Sequence, residues 1–406
     1  MHTMLWNRSF TLWLIGLAQS RLGAALASVA LSFLVLNQTG SAGRMAQTLA
    51  LSLLPTLLMP LAGTLVDRLP LKVPLIAAGL VQGVLQLTVG GLALAWGELP
   101  LWIINAAALL GGLAAAFESP AANAALPALV PEEELTRANG LLGGLGQAMT
   151  LLGTLAGGFL AANWSPAGAI LLDGITFVVF SALLLWVRLP PKPPSEAESS
   201  VWADLKSGLS LMRRSPLLSM IPLLALLLNG GLAPVMAVLP KLIQTLGPGA
   251  SGYGVYLALE SGGMLLAGGF CAVMGQRLVL RRAMSVGFAF TALAYAGMWL
   301  APVFPVLLGC AVGLGVGFAL INVPVVALIQ QLVPAGYLGR VFAVLNAVGA
   351  LGMPLVLLVV SPLVDHLPLS LWFLISGVTQ GLGLLGWLLV LRLERGAGEV
   401  RLAESV

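Results

Sequence analysis

Four ionisable residues stand inside long apolar runs of this sequence: Arg21, Glu118, Asp173 and Glu260. A charged side chain at the centre of a bilayer costs at least ~2.5–3.5 kcal/mol, so it is seldom idle there. Buried charges demand partners. One base set against three acids allows an ion pair and leaves carboxyl groups over. The first expectation is that Arg21 pairs with Asp173. The second is that Glu260 or Glu118 carries protons, because a carboxyl group in an apolar cavity can load and release a proton near neutral pH. The bland alternative for each acid is a structural pair or a helix-end hydrogen bond.

Other chemistry is scarce. No HExxH, GxSxG or GxxxxGK[ST] motif occurs. Gly313, Gly315 and Gly317 follow no strand and so form no nucleotide fingerprint. His2 lies at a terminus and His366 is expected in an outer loop, and Cys271 and Cys310 lie in apolar stretches. Catalysis, a cofactor, a zinc site and a disulfide framework are therefore not expected. A net charge of +4 without a basic run interleaved with aromatics gives no reason to expect nucleic acid. Without a nucleotide site, any work the protein does is expected to draw on an ion gradient.

The elements that carry these charges follow from composition. Of 406 residues, 59% are apolar and 8% charged, against about 25% charged in an ordinary soluble domain. A chain so poor in charge needs an apolar solvent. A span takes about 20 mostly apolar residues. Spans are expected near 10–36, 46–66, 73–95, 101–120, 138–162, 167–188, 217–241, 253–275, 283–300, 303–328, 339–362 and 369–391. The first run is too long for a signal-peptide core and is expected to be retained.

With both termini inside, the inner segments carry almost all of the Lys and Arg. Among these are Arg8, Arg68, Lys72, Arg137, Arg188, Arg277, Arg281, Arg282 and Arg340, whereas the outer segments hold only Arg44 and Lys241. That asymmetry fixes the expected orientation. The polar stretch PPKPPSEAESS divides the chain, giving an expected N-terminal bundle over 1–188, a cytoplasmic linker over 189–215 and a C-terminal bundle over 216–406. The halves resemble one another. DRLPLKVPL from Asp67 corresponds to QRLVLRRAM from Gln276, and LVPEEELTRANGLL from Leu129 to LVPAGYLGRVFAVL from Leu332. Parallel six-helix repeats commonly place a substrate site between them.

On these residues the chain resembles the major facilitator superfamily over essentially its whole length. The family's inner-loop pattern, Gly-x-Leu-Ala-Asp-Arg-x-Gly-Arg-Lys, is matched by Gly63, Leu65, Asp67, Arg68 and Lys72, with Pro70 and Leu71 in place of Gly and Arg. The resemblance implies a latch on the inner side, with Asp67 set against the start of the eleventh span near Arg340. The alternative is a loop that only sets orientation. Antiporters of the family carry Gly-Pro-x-x-Gly-Gly in the fifth span. Here Gly153, Gly157 and Gly158 are present and Thr154 replaces the Pro. Ordinary small-residue packing would use the same spacing.

The start of the chain, with Gly16, Gln19, Ser20, Leu22 and Gly23, and the stretch FESPAANAALPALVPEEELTRANG are similar to the macrolide-efflux and siderophore-exporter branch. The resemblance implies an all-α polytopic membrane protein of twelve transmembrane helices in two pseudo-symmetric six-helix bundles. It also implies a monomer in a bacterial inner membrane, both termini cytoplasmic, moving a small molecule by alternating access with protons or another coupling ion. Drug–proton antiporters often have an Arg in the fourth span, and this chain has none there. Spans 1, 4, 7 and 10 would line the cavity, with Gln19, Asn105, Asn229 and Asn322 as polar liners and Trp102, Met236 and Phe318 as apolar surface. Such a cavity suits hydrophobic or amphipathic solutes, cations included. Proton-coupled efflux is the leading expectation. A lipid, lysolipid or siderophore substrate, and a channel or non-transporting receptor, stay open beside it.

Overall fold

A computed structural model describes residues 6–66, 68–189, 201–213 and 215–397. Among these residues the protein is all-α, with twelve helices long and apolar enough to cross a membrane. They are span 1 (Arg8–Thr39), span 2 (Ala42–Val66), span 3 (Lys72–Trp96), span 4 (Leu101–Leu129), span 5 (Glu132–Asn163), span 6 (Pro166–Trp186), span 7 (Pro216–Thr245), span 8 (Gly249–Arg277), span 9 (Leu280–Leu300), span 10 (Phe304–Leu332), span 11 (Leu338–Val360) and span 12 (Leu369–Arg392). Several exceed the ~20 residues that cross a hydrocarbon core, because helical pairing continues into the flanking polar residues.

Local chemistry sets the ends. Asn7 accepts from the Phe10 amide at 2.9 Å and caps span 1, and Gly40 ends it with φ 62°, a left-handed turn that glycine adopts without strain. Ser41 then caps span 2 through the Arg44 amide. Ser165 caps span 6, with Pro166 at its first position, where a missing donor costs nothing. Span 2 tightens into a 3-10 segment over Leu54–Leu58 that includes Pro55, since proline cannot donate to the preceding turn. Many large apolar side chains face outward, Val273 at 82% exposure and Leu266 at 75% among them. Lipid is the solvent in which such a surface is stable.

The two related loops fold alike. A 3-10 turn over Glu132–Glu134 opens span 5 and another over Ala335–Tyr337 immediately precedes span 11, so the sequence repeat is also a structural one.

The chain forms two compact units. One comprises Met1–Glu198 with Pro240–Ala258, the other Ser199–Leu239 with Leu259–Val406. In the first unit, Phe10, Trp13, Leu75, Phe180 and Leu184 form one core cluster, and Leu26, Ala30, Val89 and Ile170 belong to another. Its 240–258 segment docks through the Phe33 and Tyr253 rings, with centroids 6.0 Å apart, and through Gln244, which donates to Asn37 at 2.9 Å. In the second unit, Phe288, Ile321 and Trp387 anchor one cluster.

The stretch between the halves holds a helix, Val201–Met212, that its polar composition concealed. Leu211 and Met212 of this linker helix are buried with Val341 and Val344 of span 11.

Candidate functional site

The expected pair of Arg21 and Asp173 is not formed. Gly23 is the span 1 residue that meets Asp173, and a Cβ there would run into Asp173 Oδ1 and Thr176 Oγ1. Arg21, two residues earlier, points about 200° away around the helix. It is exposed and lines a shallow recess between spans 1 and 5 with Leu14, Leu17, Ala18, Leu142, Leu145 and Gly146. Asp173 is fully buried. It accepts hydrogen bonds from Thr176 Oγ1 at 3.1 Å and from Gln86 Nε2 at 3.3 Å.

Arg21 instead has Glu118 as its electrostatic neighbour. Glu118 is half-buried on span 4 and accepts from Gln82 Nε2 at 2.6 Å. Gln82 and Gln86 were missed in the sequence. Both lie on span 3, four residues apart, so they share one helix face. Two amides at that spacing in an otherwise apolar helix were the available signal. Span 3 thereby serves carboxyl groups on two different neighbours. Its close packing on span 6 is enabled by Gly83 and Gly90, where any Cβ would meet backbone or side-chain atoms of span 6.

In the second unit, Glu260 lies on span 8, half-buried, with its backbone carbonyl against Gly315 of span 10. Tyr295 of span 9 is fully buried and interacts electrostatically with Glu260. Its hydroxyl has no hydrogen-bond partner among the described residues.

The proposed polar liners divide. Asn105 is engaged by Thr48, whose hydroxyl donates to its Oδ1 at 2.7 Å. Asn229 and Asn322 each turn their amide nitrogen back to their own helix, at the carbonyls of Ala225 and Phe318, both at 2.9 Å. That leaves each Oδ1 as the presenting atom. Gln19 is half-buried on span 1. Trp102 is 70% exposed, whereas Phe318 is buried and offers little surface.

Of the residues expected to form an inner-side latch, Asp67 lies outside the described residues. Gly63 faces Pro120 of span 4. Arg68 is exposed. Lys72 donates from Nζ to the Leu185 carbonyl at 3.3 Å, at the C-terminal end of span 6, where the helix dipole favours a cation. Arg340 lies over the Tyr337 ring, 5.2 Å from its centroid. The span 5 glycines are packing surfaces. Gly153 and Gly157 lie against the backbone of span 1 at Leu22 and Leu26, and Gly158 lies against Ala250 and Gly254.

The sequence profile of the Major Facilitator Superfamily matches residues 13–357 and, in a second match, 223–404. Macrolide efflux protein A of Streptococcus pyogenes is 27% identical over 387 residues, 92% of this chain and 93% of the relative. Multidrug efflux pump Tap of Mycobacterium tuberculosis is 28% identical over 371 residues, 87% of this chain and 86% of the relative. Among solved structures, a bacterial homologue of the iron transporter ferroportin in an inward-facing state superposes with TM-score 0.72 at 19% identity, covering 94% of this chain and 98% of that one. The nucleoside transporter NupG superposes with TM-score 0.73 at 11% identity, covering 95% and 98%. At such identities the structures show the fold alone. This chain, an integral membrane protein of twelve spans, belongs to the Major Facilitator Superfamily.

Proposed function

We propose that the protein is a proton-coupled exporter of hydrophobic or amphipathic small molecules, working by alternating access of its two halves. It acts as a monomer in a bacterial inner membrane with both termini in the cytoplasm. The observation that carries the reading is the pair of intramembrane carboxyl groups, Glu118 and Asp173. Each accepts its hydrogen bonds from neutral amide or hydroxyl donors, and Arg21, an electrostatic neighbour of Glu118, forms no ion pair with it among the described residues. A structural acid in lipid is normally neutralised by a paired base. A carboxyl group held by neutral donors keeps the freedom to gain and lose a proton. Glu260, half-buried on span 8 and in electrostatic contact with the buried Tyr295, is a further carrier in the other unit.

The efflux names of the relatives support export and an apolar or amphipathic cargo. The concentration of Lys and Arg in alternate loops supports cytoplasmic termini.

The experiment is transport in inside-out vesicles, with ethidium and a macrolide as probes. Accumulation should follow an imposed pH gradient, acidic inside, and collapse when the gradient is discharged. Accumulation indifferent to the gradient, or a lipid moved in place of either probe, would replace this reading.

A further inference from the structure

Two intramembrane acids on separate spans could titrate independently. The geometry around span 3 argues otherwise. Gln82 donates to Glu118 of span 4, and Gln86, one helical turn further on, donates to Asp173 of span 6. Gly174, beside Asp173, packs against the Leu87 backbone. A displacement of span 3 therefore reaches both acids.

A glutamine amide is suited to sense a proton. Its NH₂ donates to a carboxylate, and after a half-turn of the terminal torsion its carbonyl accepts from a carboxylic acid. Each glutamine thus has one arrangement for each protonation state of the acid it touches. The other ionisable residues on spans 1 to 6 lie toward the helix ends: Arg8, Arg44, Lys72, Glu132, Glu133, Glu134 and Arg137. Within the interior of these spans the charge problem reduces to Glu118, Asp173 and Arg21, the electrostatic neighbour of Glu118.

We propose that Glu118 and Asp173 form a single two-carboxyl protonation site, with Gln82 and Gln86 as the positioning residues that join them. The proposal rests on the proton-coupled reading above and deepens it. The site loads as a unit, so its protonation steps belong to the pair and not to either residue.

The test uses the full-length protein in lipid nanodiscs, with infrared titration of the protonated-carboxyl carbonyl band. The Asp173 contribution is identified by its loss in Asp173→Asn. Glu118→Gln is expected to move the Asp173 midpoint by about one pH unit. In a Gln86→Met background the same change should move it by much less, and Gln86→Asn should restore part of the effect. A midpoint indifferent to Glu118→Gln, or a shift of equal size with and without Gln86, overturns the proposal. Thermal melts of each variant confirm that folded protein is being compared. Gradient-driven ethidium transport by the wild type separates the two levels. Linked bands without such transport uphold the joined site and remove the proton-coupled reading, and unlinked bands with it do the reverse.

Discussion

Gln82 on span 3 donates its amide to Glu118 on span 4 at 2.6 Å. That short bond gives an acid in an apolar helix a neutral partner, and it separates two roles that mutation can test. Glu118→Gln keeps a carbonyl oxygen for Gln82 and removes only the titratable proton. It should melt like the wild type yet lose gradient-driven ethidium transport in vesicles by tenfold or more. Glu118→Leu also leaves the Gln82 amide with only its 3.4 Å bond to the Ala78 carbonyl, which adds about 1 kcal/mol of instability. Transport by Glu118→Gln at the wild-type level would remove Glu118 from the coupling role.

Span 5 carries a contrast between glycines. A Cβ on Gly157 would meet the Leu26 backbone of span 1, whereas one on Gly140 would meet nothing within 4 Å. Backbone atoms cannot yield as a flexible side chain can. Gly157→Val should therefore destabilise the protein by about 1–3 kcal/mol through overpacking, lowering its melting temperature in detergent. Gly140→Ala should stay within about 0.5 kcal/mol of the wild type. Equal melting temperatures would show that span 1 and span 5 can separate at no cost.

The spans and the repeat were legible in the sequence because each is written in a run of residues. Leu135 and Leu338 follow the related stretches VPEEE and VPAGY, and both begin a helix after a 3-10 turn. Side-chain partners depend on helix rotation instead, which hydropathy leaves open. Arg21 was matched to Asp173 on charge alone, yet Gly23 occupies the face that meets Asp173. The amides that do reach the acids, Gln82 and Gln86, carry no charge and so raised no alarm. The linker helix was hidden for another reason. Its apolar residues, such as Leu211 and Met212, follow a proline-rich polar stretch and are too few to stand out.

Thr48 and Asn105 tie span 2 to span 4 through a hydrogen bond of 2.7 Å. Thr48→Val and Asn105→Leu should each cost about 1–2 kcal/mol. The double variant should cost less than the sum, because one bond is lost in all three cases. Thermal unfolding of the four proteins measures the coupling. Additive losses would mean that the bond contributes nothing, and Asn105 would return to the list of cavity liners.

Lys72 sits in the loop of the family pattern, but its Nζ caps the Leu185 carbonyl. A cation at a helix C-terminus contributes about 0.3–1 kcal/mol. Lys72→Met should cost that much in melting experiments, with Lys72→Arg restoring it, and transport rates should stay near the wild type. A large loss of transport in Lys72→Met without loss of stability would assign this residue to the latch.

Gly208 is where the linker helix meets span 11. A Cβ there would collide with the carbonyl group of Arg340 and crowd the Val344 side chain, while Leu211 and Met212 are buried beside Val341 and Val344. The contacts of this helix with span 11 thus include a close backbone approach and an apolar contact. Gly208→Leu should lift it from span 11 and expose the backbone around Lys206 and Arg213, both already solvent-facing side chains. Trypsin should then cut the linker several-fold faster in the folded protein, since proteolysis follows the population of the opened state. Ser210→Leu, at an exposed position of the same helix, should leave the rate unchanged. Because Gly208 rests on Arg340 in the first turn of span 11, the same Leu substitution should also slow transport. Unchanged cleavage in Gly208→Leu would mean that the helix is held by other contacts and that this approach is incidental.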